Sequence, residues 1–277
     1  MTNPLMAAFR QPKIQLRLPS GGRWWPSGSI AIPETNEVPV YSMTGSDEIL
    51  IKTADALLNG SATVNMIQSC IPAIKDAWKT PKTDVDTILI GIRIATYGGT
   101  LDMEAKCPQC SELNTYEVNL GQLLDQIKTP DYSSPWSING ITFKLRPTDY
   151  KQHHDSLFAQ FEQNRMIDNL TNLEMTDPTR IAQIESAAHL ITVTTVGLLS
   201  KSIESISFNG VVVEDQPNII NFLENADRIV YTSLLEKIQD LNKAYEMPTQ
   251  HVVCNECKHE HDTSIEFDPS SFFGDGS

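Results

Sequence analysis

Basic residues are scarce in this chain of 277 residues: 21 lysines and arginines stand against 35 aspartates and glutamates, a net charge of −14. Such a balance gives a phosphate backbone no cationic patch to settle on, which argues against nucleic-acid binding. The excess of acid favours solubility and suits a basic protein partner. Long apolar runs are missing too, so no transmembrane helix is expected. The opening residues, MTNPLMAAFRQPK, lack the basic start, apolar core and small-residue cleavage site of a signal peptide. Synthesis and use in a cytoplasm are expected.

Motifs that carry chemistry are equally sparse. The sequence holds no glycine-rich phosphate loop, no H-E-x-x-H and no nucleophile elbow. His153, His154 and Asp155 are consecutive on a helix-like stretch, where neighbours point in different directions, so they read as a solvated face. Asp84 and Asp86 read as the acidic first turn of a helix. No residue is assigned a catalytic role, and the chain is not expected to be an enzyme. Strands and helices do not alternate as a parallel sheet requires.

Cysteine is rare but organised. Of five, Cys70 sits among apolar neighbours as an inert core thiol. The other four form two CxxC pairs, Cys107 with Cys110 and Cys254 with Cys257, with 143 residues between the pairs. Their flanks repeat. AKCPQCSELNTYEVNL and VVCNECKHEHDTSIEF each place apolar residues before the pair and polar ones after it. Each then ends in an alternating strand: Tyr116, Val118 and Leu120, or Thr263, Ile265 and Phe267. Each half reads as strand, cysteine-bearing turn, returning strand. Two such turns facing each other supply four thiolates in a tetrahedron, the geometry structural zinc prefers, with Zn–S bonds of about 2.3 Å. The pattern predicts a zinc ribbon holding one structural ion. Four thiolates leave no position for water or substrate, so the ion would contribute stability rather than chemistry. A redox dithiol is disfavoured because neither pair lies in a βαβ pattern. Ligand exchange by His251, His259 or His261 is a further alternative.

The fold class expected is α+β: a mostly helical chain with small β-hairpins and a ribbon built from the two cysteine knuckles. Residues 1–44 read as an extended N-terminal arm, with strand-like alternation at Ile14, Leu16 and Leu18. Residues 45–100 read as helices. The first is capped by Ser46 and stopped at Gly60, the second capped by Ser61 and interrupted at Pro72. The third starts at Thr83 or Asp84, is apolar nearly all round, and ends at Gly98 and Gly99. Residues 101–120 with 250–268 form the ribbon. Residues 121–249 form a helical insertion with two hairpins turning at Asn139-Gly140 and Asn209-Gly210. Residues 269–277 are a tail. Trp24 and Trp25 on the arm, and Phe272 and Phe273 on the tail, are candidate partner contacts, since aromatics anchor interfaces. Docking on the chain's own core is the alternative for both.

Several stretches resemble a known family. NPLMAAFRQPKIQLRLPSGG, YSMTGSDEILIKTADALLNGSATVNMIQSCIPAIKDAW, DVDTILIGIRIATYGG, the CPQC pair and CNEC…FDPSSFFG are similar to the baseplate hub protein family of T-even-like, contractile-tailed bacteriophages. The resemblance implies a hub subunit or a factor needed for hub assembly. Its partners would be other baseplate or hub proteins, with no nucleic acid and no membrane. It would reside in the virion tail baseplate, or in the host cytoplasm during assembly. It supplies no catalytic residues. Two other classes remain: a zinc-ribbon nucleic-acid binder, poorly served by the single basic residues Lys106 and Lys258 beside the knuckles, and an enzyme with an open zinc site.

Overall fold

The alternation at Ile14, Leu16 and Leu18 needs a partner strand and a surface to bury against. The computed structural model, which describes residues 9–52, 60–171, 178–245, 247–264 and 272–273, shows both. The chain divides into two compact units: residues 1–129 with 245–277, and residues 130–244.

In the first unit, β1 (Pro12–Arg17) pairs antiparallel with β2 (Glu37–Tyr41), setting Leu16 opposite Val38. Leu16, Leu18, Val38 and Val40 are buried, and both strands pack on a long helix, here α3. Residues 12–41 are thus built into their own unit rather than extended from it. Three helices follow: α1 (Gly45–Ile51), α2 (Ser61–Cys70) and α3 (Lys82–Tyr97). The remainder of the first expected helix, 53–59, lies outside the described residues.

Helix starts differ from the expected ones for physical reasons. The cap of α1 is Thr44, not Ser46. Asp47 then falls at the third helical position, where its carboxylate accepts from Thr44 N–H at 2.7 Å while Thr44 Oγ1 accepts from Asp47 N–H at 3.3 Å. From Ser46 the same position would be Ile49, which has no acceptor. Gly60, not Ser61, caps α2 at φ 66°, a left-handed conformation open to glycine. That helix stops at Cys70, before the residue that Pro72 disfavours as helical. The cap position of α3 is Pro81, because the Asp84 carboxylate faces inward instead. As its composition implies, α3 buries Val85, Ile88, Leu89, Ile90 and Ile92. Gly91 lets β1 approach: a Cβ there would lie 2.8 Å from Leu16 Cδ2. Cys70 is buried, and burial, followed by the charge of Asp47, pushes its thiol up to about 12.

The same unit carries β3 (Thr100–Lys106), β4 (Leu113–Asn119), α4 (Leu120–Gln126), β9 (Gln250–Val253) and β10 (Glu260–Thr263). Leu120, expected in a strand, opens α4, where Asn119 Oδ1 caps Gln122 N–H. Ile265 and Phe267 lie outside the described residues.

In the second unit, β5 (Trp136–Ile138), β6 (Ile141–Leu145), β7 (Ile203–Phe208) and β8 (Val211–Val213) form one antiparallel sheet in that order. Both Asn-Gly turns have positive φ at both residues (50° and 76°; 49° and 80°), the twist a two-residue hairpin needs. The two hairpins are halves of this single sheet, because Phe143 on β6 pairs with Ile206 on β7. Between them run α5 (Tyr150–Thr171) and α6 (Pro178–Ser200). After them come α7 (Gln216–Asn225), whose Phe222 ring lies 6.0 Å from Phe143, and α8 (Arg228–Lys243). Among the described residues the fold is α+β, with eight α-helices and small antiparallel sheets. No described helix is long and apolar enough to cross a membrane.

Candidate metal centre

Each cysteine pair sits in the turn of a short hairpin, β3–β4 for the first and β9–β10 for the second. The two turns are built alike, position by position. Cys107 N–H donates to Glu112 O at 2.9 Å, and Cys254 N–H to His259 O at 2.9 Å. Ser111 N–H donates to Cys107 O, and Lys258 N–H to Cys254 O. The residue after each second cysteine is left-handed, Ser111 at φ 62° and Lys258 at φ 60°. This reversal brings both sulfurs of a turn to the same side, as the matching flanks in the sequence imply.

The four Sγ atoms lie within 4.8 Å of one another. Across the two turns, Cys107 Sγ is 3.6 Å from Cys257 Sγ, and Cys110 Sγ is 3.6 Å from Cys254 Sγ. That is much too long for a disulfide, whose bond is about 2.0 Å. It matches the edge of a tetrahedron with bonds of about 2.3 Å, which is about 3.8 Å. The donor set fits a soft or borderline ion such as zinc.

Electrostatics separate the first cysteine of each pair from the second. Backbone N–H groups of Cys257 and Glu256 point at Cys254 Sγ and hold that thiol down at about 6. Cys107 is lowered as well: burial pushes it up, but the N–H groups of Cys110 and Gln109 outweigh this together with Cys257. Cys110 goes the other way, to about 12. The N–H of Glu112 pulls it down, but burial and the three other sulfurs prevail. Cys257 is raised despite the N–H of His259, by burial and by Cys107 and Cys254. Four thiols in one small space cannot all ionise unless a cation joins them.

Asn114, on β4, was not singled out by the sequence. It is buried and ties the two turns together. Its Oδ1 accepts from Asn255 N–H at 2.9 Å. Its Nδ2 donates to Glu112 O at 3.1 Å and reaches Cys254 Sγ at 3.5 Å. The available signal was a polar residue at an inward strand position. Asn114→Ala is expected to destabilise the folded protein by about 1–3 kcal/mol, because it removes a buried amide that bonds Asn255 N–H, Glu112 O and Cys254 Sγ. Chemical denaturation of both proteins measures it.

The histidines near the second turn are placed elsewhere. His251 Nδ1 is 3.0 Å from Asp262 Oδ1, which raises its pKa, and the His259 and His261 rings stack at 5.8 Å. His153 lines a cavity of about 310 Å³ beside α8.

The four aromatic candidates also belong to the first unit. Trp24 and Trp25 are half-buried, with the Arg23 guanidinium 4.9 Å from the Trp24 ring. Trp25 Nε1 donates to Asp84 Oδ2 at 2.8 Å. Phe272 and Phe273 are only 3% and 2% exposed. Arg93 Nη1 donates to Phe272 O at 2.6 Å, and Tyr97 Oη donates to Phe273 O at 3.3 Å. Contact with a partner through these two rings therefore requires the tail to leave its seat on α3.

A family model described as T4 bacteriophage base plate protein matches residues 11–274. No curated protein and no solved structure matches.

Proposed function

The chain belongs to the T4 bacteriophage base plate protein family, and on that premise we propose that it is a hub component or hub-assembly factor of the tail baseplate, held in shape by one structural zinc ion. The family makes it a phage baseplate structural protein whose partners are other phage structural proteins. The observation that carries the reading is the extent of the match, which takes in both units and both cysteine turns. Zinc is supported by the four converging sulfurs and their 3.6 Å separations. When bound, zinc cross-links two hairpins that are distant in sequence. Cys107 and Cys254 supply the buried ligands, Cys110 and Cys257 the exposed ones.

Trp24 and Trp25, half-buried in the turn that follows β1, are the first candidate contact, and the Trp25 bond to Asp84 ties that turn to α3. Phe272 and Phe273 are a second contact, available to a partner able to displace the tail.

Quantitative mass spectrometry of purified particles and of an infected-cell lysate tests the role. Stoichiometric presence in particles makes the chain a built-in hub component. Presence in the lysate alone makes it an assembly chaperone outside the virion. Absence from both would refute the reading.

A further inference from the structure

We propose that β8 is a docking edge for an extended segment of another protein, apolar and basic at alternate positions, which adds to the sheet of the second unit as a fifth strand. The proposal rests on that unit alone, not on the metal or the hub assignment.

The main chain selects an extended occupant. Among the described residues the sheet runs β5-β6-β7-β8, and β8 pairs with β7 only. Phe208 and Val211 flank the Asn209-Gly210 turn, and a two-residue turn is closed by a hydrogen-bonded pair. The alternation of an antiparallel ladder then turns the N–H and C=O of Val212 toward the free edge. Protein edges are commonly blunted by a charge, a proline or a bulge. β8 has none of these: it is three valines in unbroken register with β7, and Val211 and Val212 are 65% and 58% exposed. A helix spends its main-chain groups internally, whereas an extended segment has a full row to offer such an edge.

Side chains select apolar residues at alternate positions. Ile206 pairs with Val213 and Phe208 with Val211, so all four share one face of the sheet. On that face α7 sets Phe222 against Phe143, and a cavity of about 600 Å³ opens beside it. Its apolar lining comes from Ile141, Ile206, Phe208, Val211, Val213 and Phe222. A strand laid along β8 places its residues opposite Val211 and Val213 on the cavity face. The residue between them, opposite Val212, falls on the other face.

Charge selects a basic partner and disfavours a second copy. Residues 202–227 contain five carboxylates, Glu204, Glu214, Asp215, Glu224 and Asp227, and no Lys, Arg or His. Lys144 neutralises Glu204 at 2.7 Å. Glu214 follows β8 directly, is exposed, and continues the alternation on the Val212 face. A lysine or arginine opposite Val212 therefore meets an opposite charge, whereas two copies of this edge would set like charges together. The edge fits a segment that reads apolar, basic, apolar.

The probe is a fluorescent nine-residue peptide of alternating Val and Lys, read by anisotropy against the full chain at low salt. It is expected to bind at least tenfold more tightly than a Val–Glu peptide, and than the same residues with all Val placed before all Lys. Hydrogen exchange should show residues 211–214 protected in the complex. Val212→Pro leaves the β7–β8 bonds in place, since its N–H faces the free edge, but it blocks an added strand. Circular dichroism should stay unchanged while peptide affinity falls at least tenfold. Glu214→Lys, at an exposed position, should cut the preference for Lys over Glu at least threefold. Failure of the Val–Lys peptide to bind, equal binding of all three peptides, or binding untouched by both variants would overturn the proposal. So would a wild-type dimer that Val212→Pro dissociates, since the occupant would then be a second copy.

Discussion

Treatment with a strong chelator, which would remove the zinc proposed above, is expected to melt the cysteine-bearing hairpins β3–β4 and β9–β10 while the second unit stays folded. These hairpins have little apolar surface of their own: β3 alternates exposed and half-buried residues, and β10 does the same. Their union rests on four sulfurs and the bridge made by Asn114. Structural zinc in small modules contributes on the order of 10 kcal/mol of apparent folding free energy at neutral pH. Hydrogen exchange should therefore show these four strands losing protection when metal is removed. The β5–β8 sheet, with its buried Phe143, Ile203 and Ile206, should keep its protection. Single substitutions grade the effect. Cys254→Ser, at a fully buried sulfur met by two backbone N–H groups, should be more damaging than Cys257→Ser at an exposed one. Elemental analysis should find about one zinc per chain in the wild type. Indistinguishable exchange with and without chelator would contradict a structural metal.

The second large effect concerns Asp84. Its carboxylate is wholly buried at the start of α3 and accepts three hydrogen bonds. They come from Ser20 N–H at 2.8 Å, Ser20 Oγ at 2.5 Å and Trp25 Nε1 at 2.8 Å. Those donors favour the ionised form, but burial outweighs them and pushes the carboxyl from 3.8 up to about 6. A folded-state value above the unfolded one means that folding favours the protonated acid. The associated stability is complete below about pH 4 and is lost as pH rises through about 6. A shift of that size corresponds to about 3 kcal/mol. Asp84→Asn cannot titrate, so the stability of the wild type minus that of Asp84→Asn should fall by about 3 kcal/mol between pH 4 and pH 7. Paired urea denaturation series across that range measure it. A difference independent of pH would show that Asp84 is ionised throughout.

Both results depend on features that differ in how far the sequence reveals them. The cysteine turns were legible because their requirements are local: two thiols three positions apart, then one residue able to turn left-handed, then a returning strand. The Asn-Gly turns were legible for the same reason, since positive φ at two adjacent positions selects those residue types. The burial of α3 followed from apolar residues on all its faces. Asp84 does lie in the first turn of α3, as its sequence position implies, but its burial was not legible, because its partners Ser20 and Trp25 lie about sixty positions upstream. Thr44 rather than Ser46 caps α1 because the capping box needs an acceptor three positions on, which Asp47 supplies for Thr44 and Ile49 does not for Ser46.

By itself, then, the sequence determined an α+β chain with paired thiols in matching turns, two tight hairpins and a buried central helix. Each follows from steric and periodic preferences acting within a few residues. Only the tertiary structure decided that the four sulfurs converge and that Asn114 bridges their turns. It also decided that Asp84 anchors the Ser20–Trp25 turn, that both hairpins join one sheet, and that Phe272 and Phe273 are seated on α3. Each of these sets one group against another far along the chain. Such pairings depend on which buried donors, acceptors and apolar faces remain to be satisfied once the elements pack, and no local window of sequence contains that information.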